Sequence, residues 1–178
     1  YSHKNWKTLR NNQRTGVAQA KSLSGPWTRM NAPLFEPAKP LHTIVVNPAI
    51  TQTPDGKYLL IVKGDKFPKP GSPRIQATAI SDNPWGPFKI HPEPAISDID
   101  TEDASIWYDK TRERYYAVFH AHTYFGMITS SDGKKWSKAT NYKFAPKSFV
   151  QEDGETFKGQ RMERPFVFTT ADGTATVF

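Results

Sequence analysis

Val46-Asn47-Pro48-Ala49-Ile50, Glu102-Asp103-Ala104-Ser105-Ile106 and Glu163-Arg164-Pro165-Phe166-Val167 are three copies of one unit, a polar opening followed by a short apolar run. Asn47 and Asp103 lie 56 positions apart, and Asp103 and Arg164 lie 61 apart. The first and third copies match further, with Asp55-Gly56 eight residues after Asn47 and Asp172-Gly173 eight after Arg164. Strand-rich repeats of this length point to blades arranged around an axis. If each copy begins the inner strand of a blade, the polar residues that lead it converge on one axial pocket.

A second repeat alternates with the first. Gly16-Val17-Ala18-Gln19-Ala20 leads to Gly25-Pro26-Trp27, and Ala77-Thr78-Ala79-Ile80-Ser81 leads to Gly86-Pro87-Phe88, each over nine residues. Gly126-Met127-Ile128-Thr129-Ser130 leads to Asp132-Gly133 and Trp136. Each reads as a strand, a tight turn and an outer strand carrying an aromatic. The inner hairpins are legible too: 49–51 and 57–62 around Pro54-Asp55-Gly56, and 105–108 and 115–120 around the charged turn 109–114. No stretch carries a sustained, capped helical period. Proline-containing segments over 66–73, 89–99 and 145–158 read as loops that join strands or blades and shape a pocket mouth.

The expected fold is therefore all-β, a β-propeller of four-stranded blades that is incomplete, with about three blades present. The blade portions fall at about 1–40, 41–96, 97–158 and 159–178, within one partial domain. Fifteen prolines and eleven glycines in 178 residues suit short strands better than helices. The chain begins at Tyr1, not Met, and stops at Phe178 inside an expected strand, so it reads as part of a larger ring.

Composition narrows the partners. No apolar run is long enough to span a bilayer as a helix. There is no cysteine, which excludes disulfides and thiolate chemistry within these residues. The net charge of +7 can steer an anionic partner such as an acidic polysaccharide, or simply describe a solvated basic surface. Lys and Arg are scattered, and the densest stretch, 4–14, is short, which argues against a nucleic-acid partner.

At the quoted residues the chain resembles the five-bladed β-propeller glycoside hydrolases, the superfamily that holds families 43, 32, 68 and 117. Those enzymes start successive inner strands with acidic motifs, Asp-Pro in one or two blades and Glu-Gly-Pro or Glu-Cys-Pro in another. Glu163-Arg164-Pro165 looks like the Glu-x-Pro of the general acid. Glu102-Asp103-Ala104 looks like a blend of Glu-x-Pro with the Arg-Asp-Pro that carries a stabilising aspartate. Val46-Asn47-Pro48 sits where Asp-Pro belongs. The turns Gly25-Pro26-Trp27 and Ser131 to Trp136 look like that superfamily's outer strands. In the family-43 register, Glu102 is the acid and Asn47 the position that tunes it. In the family-32 register, Asn47 replaces the nucleophile, Asp103 is the stabiliser and Glu163 the acid. The resemblance implies hydrolysis of a glycosidic bond in an oligo- or polysaccharide without a cofactor, and a secreted or periplasmic location.

Glycoside hydrolysis needs two carboxyl groups of different protonation state across one sugar. The candidate catalytic residues are Glu163, Glu102 and Asp103. On a regular strand Glu102 and Asp103 point to opposite faces, so both face the axis only where a bulge or a strand start intervenes. The repeat register aligns Glu102 with Glu163, and Asp103 with Asn47 and Arg164. Candidate substrate-binding residues are Asn47, as a ligand of sugar hydroxyls or a turn residue; Arg161 and Arg164, as clamps on a carboxylated sugar or structural ion pairs; His120 and His122, on one face after the strand 115–119; and Trp107, stacked on a sugar or packed between blades. The acidic run 98–103 lacks the glycine and glutamate of a calcium loop, so no metal is assigned. A carbohydrate-binding propeller without catalysis, favoured by Asn47, and a glycoside phosphorylase are the alternative functions.

Overall fold

The computed structural model of the chain describes residues 5–69, 71, 73–159 and 161–178. A short helix, α1 (Trp6–Asn11), comes first, followed by the two-residue strands β1 (Ala18–Gln19) and β2 (Thr28–Arg29), which pair antiparallel. Then come two four-stranded antiparallel meanders. The first runs β3 (Leu41–Gln52), β4 (Tyr58–Lys66), β5 (Arg74–Ser81) and β6 (Lys89–Ile96); the second runs β7 (Thr101–Asp109), β8 (Arg114–Ala121), β9 (Tyr124–Ser130) and β10 (Ser137–Pro146). Two small hairpins close the chain: β11 (Phe149–Val150) with β12 (Thr156–Phe157), and β13 (Phe168–Thr169) with β14 (Ala175–Val177). The order within each large sheet is inner strand, second, third, outer, as the repeats require. Among the described residues, no helix is long and apolar enough to cross a membrane.

Strand alternation builds the core. Side chains of a strand alternate between faces, so Leu59 and Ile61 of β4 join one buried cluster while Leu60 and Val62 join another. The first cluster lies between the two sheets and includes Ile106, Tyr115, Ala117, Phe119 and Ile128 of the second sheet. The other covers the opposite face of the first sheet with Leu41, Val45, Ile75, Ala77 and Phe88. A sheet buried on both faces reads as a continuous apolar run, which is the composition of Leu59-Leu60-Ile61-Val62.

The repeats share backbone geometry as well as sequence. Gly56 and Gly173 both hold a positive φ, 83° and 86°. Each donates its amide to the threonine three residues earlier, Thr53 or Thr170, at 2.9 Å. The Asp172-Gly173 turn docks on the second sheet, where Lys110 donates its amide to the Asp172 carbonyl at 2.8 Å. Gly25 and Gly86 match likewise at 83° and 84°.

Two expectations are corrected. Residues 89–96 are not a loop but β6, whose Pro92 and Pro94 are tolerated because an outer strand has one unpaired edge. The segment 145–158 is only partly loop, since β10 continues to Pro146 and β11 pairs with β12. Helix α1 is too short for a period to be read; its last turn is tied down by Arg10, whose guanidinium grips the fully buried Asp65 carboxylate through both oxygens. The segment 66–73 does join strands, with the Lys66 amide bonded to the Pro73 carbonyl at 3.1 Å; its positions 70 and 72 lie outside the described residues, as does position 4 of the basic stretch.

Candidate functional site

The three copies of the first repeat meet through an unusual backbone state. Asn47, Asp103 and Arg164 hold φ values of 52°, 53° and 58°. This left-handed region is rare for residues with a Cβ; Asn and Asp tolerate it best. At the first two copies the strand pairing slips, between Val46 and Ala49 against β4 and between Glu102 and Ser105 against β8. The motifs thus lie on bulges inside strands that begin earlier, at Leu41 and Thr101, and the third precedes β13. A bulge suspends strict alternation, which frees Glu102 and Asp103 from opposite faces.

The candidate residues divide between two neighbouring cavities. Asn47, Asp103 and Arg164 line one of about 360 Å3, together with Pro48, Ala104 and Pro165. There the Asn47 amide nitrogen donates a hydrogen bond to the Asp103 carboxylate. Glu102, Glu163, His120, His122 and Arg161 line the other, of about 330 Å3. Trp107 lies in neither: it stacks on Tyr116 at 5.6 Å and borders a groove with Thr51, Lys110 and Thr169.

The register of β7 on β8 sets Glu102 directly opposite His120, and such cross-strand pairs share a face. His120 Nδ1 lies 4.0 Å from Glu102 Oε1 and has no hydrogen-bond partner among the described residues, although the ring is buried. Burial, then the Lys147 charge, push the imidazole below its usual pKa, against the pull of Glu102, Glu163 and Asp103. His120 is therefore neutral at pH 7.

Two cations hold Glu102. Lys63 Nζ donates to one oxygen at 2.5 Å and Arg74 Nη1 to the other at 2.7 Å. Burial pushes the Glu102 pKa up, but the hydrogen bond and charge of Lys63 and the charge of Arg74 outweigh it, so the net shift is downward. Arg74 also bonds Asp100 through Nε and Nη2, at 2.9 and 2.6 Å, and His122 Nε2 lies 3.0 Å from the same carboxylate.

Glu163 is held differently. Its only hydrogen bonds among the described residues come from Arg161, through Nε at 3.1 Å and Nη2 at 2.7 Å, both to Oε1. That bond is the main cause of its lowered pKa; burial and the nearby Glu102 charge both raise it. Arg161 is 78% exposed and so is free to leave, whereas Lys63 is 10% exposed.

Lys63, Arg74, Asp100 and Lys147 are site residues that motif reading missed. Lys63 carried a signal: it continues the face of Leu59 and Ile61 along β4, and a lysine there must find an anion. Donor atoms of Glu102, His120 and Glu163 all lie within 4.8 Å of one another, a spacing a metal ion can bridge. Lys63, Arg74 and Arg161 already neutralise both carboxylates, so the donor set as charged does not call for a cation.

No protein-family model and no curated protein matches the chain. Solved structures do. A family 117 glycoside hydrolase from the marine bacterium Zobellia galactanivorans matches with a TM-score of 0.63 and 20% identity, over 95% of this chain and 46% of that one. Fructan 1-exohydrolase IIa from Cichorium intybus matches with a TM-score of 0.58 and 17% identity, over 75% of this chain and 26% of that one. An exo-β-1,3-galactanase from Phanerochaete chrysosporium matches with 0.58 and 16%, over 88% and 34%. The chain thus spans less than half the length of each. At such identities the likeness is one of fold: the two meanders are blades of a β-propeller of the kind these glycoside hydrolases share.

Proposed function

We propose that Glu102 and Glu163 belong to the active site of a glycoside hydrolase that acts on an oligo- or polysaccharide. The observation that carries this reading is the meeting of two carboxylates, 61 positions apart in the chain, with an oxygen of each and a ring nitrogen of the neutral His120 imidazole within 4.8 Å of one another. The propeller fold and its likeness to glycoside hydrolases support it.

The two carboxylates differ in the way hydrolysis requires. Glu102, gripped by two cations, stays ionised and stabilises the positive charge that develops on the sugar ring. Glu163 is the proton donor. A sugar that displaces the exposed Arg161 removes the main influence lowering its pKa and leaves burial and the Glu102 charge to raise it. Asp103, holding the Asn47 amide, is a supporting carboxylate one residue along the chain, and Arg164 shares its cavity.

The second reading is a carbohydrate-binding propeller without catalysis. Asn47 favours it, because an amide stands where a carboxylate would act as base or nucleophile. Hydrolysis of a panel of plant and algal oligosaccharides by the protein, beside Glu163→Gln and Glu102→Gln, separates the two. Cleavage lost in Glu163→Gln, with a weakened but measurable rate in Glu102→Gln, is the expected result. Cleavage that survives Glu163→Gln rejects the acid assignment, and binding without cleavage by all three proteins moves the protein to the binding class. Cleavage that requires phosphate identifies a phosphorylase.

A further inference from the structure

We infer that Lys147, with Arg161 and His122 beside it, forms a subsite for an anionic substituent of the saccharide, a carboxylate or a sulfate ester; this rests on reading the cavity as a saccharide site.

The cavity holds more positive charge than its own acids use. Three cationic side chains, Arg74, Lys147 and Arg161, line it against two carboxylates, Glu102 and Glu163. Arg74 is spent on Asp100 and Glu102. Lys147 follows directly on β10, is half-buried, and makes no hydrogen bond or ion pair among the described residues. Its ammonium lies 5.4 Å from the centre of the Phe125 ring, which covers one side without neutralising it. Burial lowers the Lys147 pKa, and only the charges of Glu163, Glu102 and Asp103 oppose that. A half-desolvated ammonium without a hydrogen-bonded anion costs free energy that an incoming oxyanion recovers.

The neighbours suit the same ligand. Arg161 spends Nε and Nη2 on a single Glu163 oxygen, which leaves Nη1 without a partner among the described residues. His122 is 69% exposed beside Asp100. A guanidinium and an ammonium that line one cavity can together recognise a planar carboxylate or a tetrahedral sulfate, and an uncharged sugar would leave the Lys147 ammonium without an anion. The chain's net charge of +7 favours the approach of such a polymer.

The test is calorimetric titration of the protein, Lys147→Gln and Lys147→Arg with galacturonate and sulfated galactan oligosaccharides, beside uncharged galactan and xylan oligosaccharides, with reducing-end release measured separately. The expected result is about tenfold tighter binding of one acidic series than of the uncharged ones, the effect of one charge-assisted hydrogen bond. That preference is lost in Lys147→Gln and kept in Lys147→Arg, and the series that binds tells carboxylate from sulfate. Equal binding of acidic and uncharged series, binding of neither, or a preference that survives Lys147→Gln overturns the inference. Acidic oligosaccharides bound but never cleaved remove the hydrolase reading and leave the subsite. Uncharged ones cleaved with acidic ones ignored do the reverse.

Discussion

Replacing Lys63 with methionine isolates the ion pair that sets the charge of Glu102. Methionine approximates the aliphatic stem of lysine, so packing changes little. The pair is too buried to count as a surface salt bridge of about 0–1 kcal/mol, with side-chain exposures of 10% and 16%. Losing one partner of a fully buried pair costs about 3–5 kcal/mol, but here Arg74 remains on the other oxygen at 2.7 Å. The expected loss at pH 7 is about 2 kcal/mol, the value of one hydrogen bond between charged groups. The loss depends on pH. The folded-state pKa of Glu102 is lowered, so its stabilising contribution is present above its unfolded value of about 4.3 and vanishes as pH falls through the folded value. Urea unfolding at pH 7 and about pH 3 samples the gap above and below the unfolded value. The variant is expected to be weaker at pH 7, with the gap closing in acid. An equal gap at both pH values would show that Lys63 acts through packing, and no gap at pH 7 would refute the electrostatic argument.

Three further outcomes are expected. Gly126→Ala forces a methyl to 2.2 Å from the fully buried Phe119 ring and costs about 1–3 kcal/mol in denaturant unfolding; a neutral result means that the ring has room to move. Arg10→Met strands the buried Asp65 carboxylate and costs about 3–5 kcal/mol. Adding Asp65→Asn recovers part of that loss in thermal unfolding, and a double variant no better than the single one argues against charge burial as the cause. Trp107→Ala removes the stack on Tyr116 and lowers stability by about 1 kcal/mol. Saccharide affinity is expected to hold, because Trp107 lies in neither candidate cavity; a loss of affinity with stability unchanged would bring it into the site.

Much of the fold was legible because its signals are local. The Asp-Gly turns and the Gly-Pro-aromatic turns return with matching φ values wherever they recur. The alternation of Leu59 to Val62 marks a strand buried on both faces. The misread elements are those in which local signals conflict with tertiary support. Pro92 and Pro94 look like loop punctuation until β6 is seen to be an outer strand. The alignment of Asn47 with Asp103 and Arg164 was also readable, and the three share one backbone state. That this state is left-handed was not, because asparagine, aspartate and arginine have no common preference for it.

By itself the sequence determined the all-β class, the strand order within each blade, and the pairing of Glu102 with Glu163 at equivalent repeat positions. These follow from period-two alternation and turn chemistry, which act over a few neighbouring residues. The tertiary structure alone decided that Glu102 is ionised, since Lys63 and Arg74 reach it from 39 and 28 positions away. It alone left Lys147 without an ion pair and His120 Nδ1 without a hydrogen bond among the described residues. Charge state and free hydrogen-bonding capacity depend on distance through space and on lost solvent, and neither is encoded in the order of neighbouring residues.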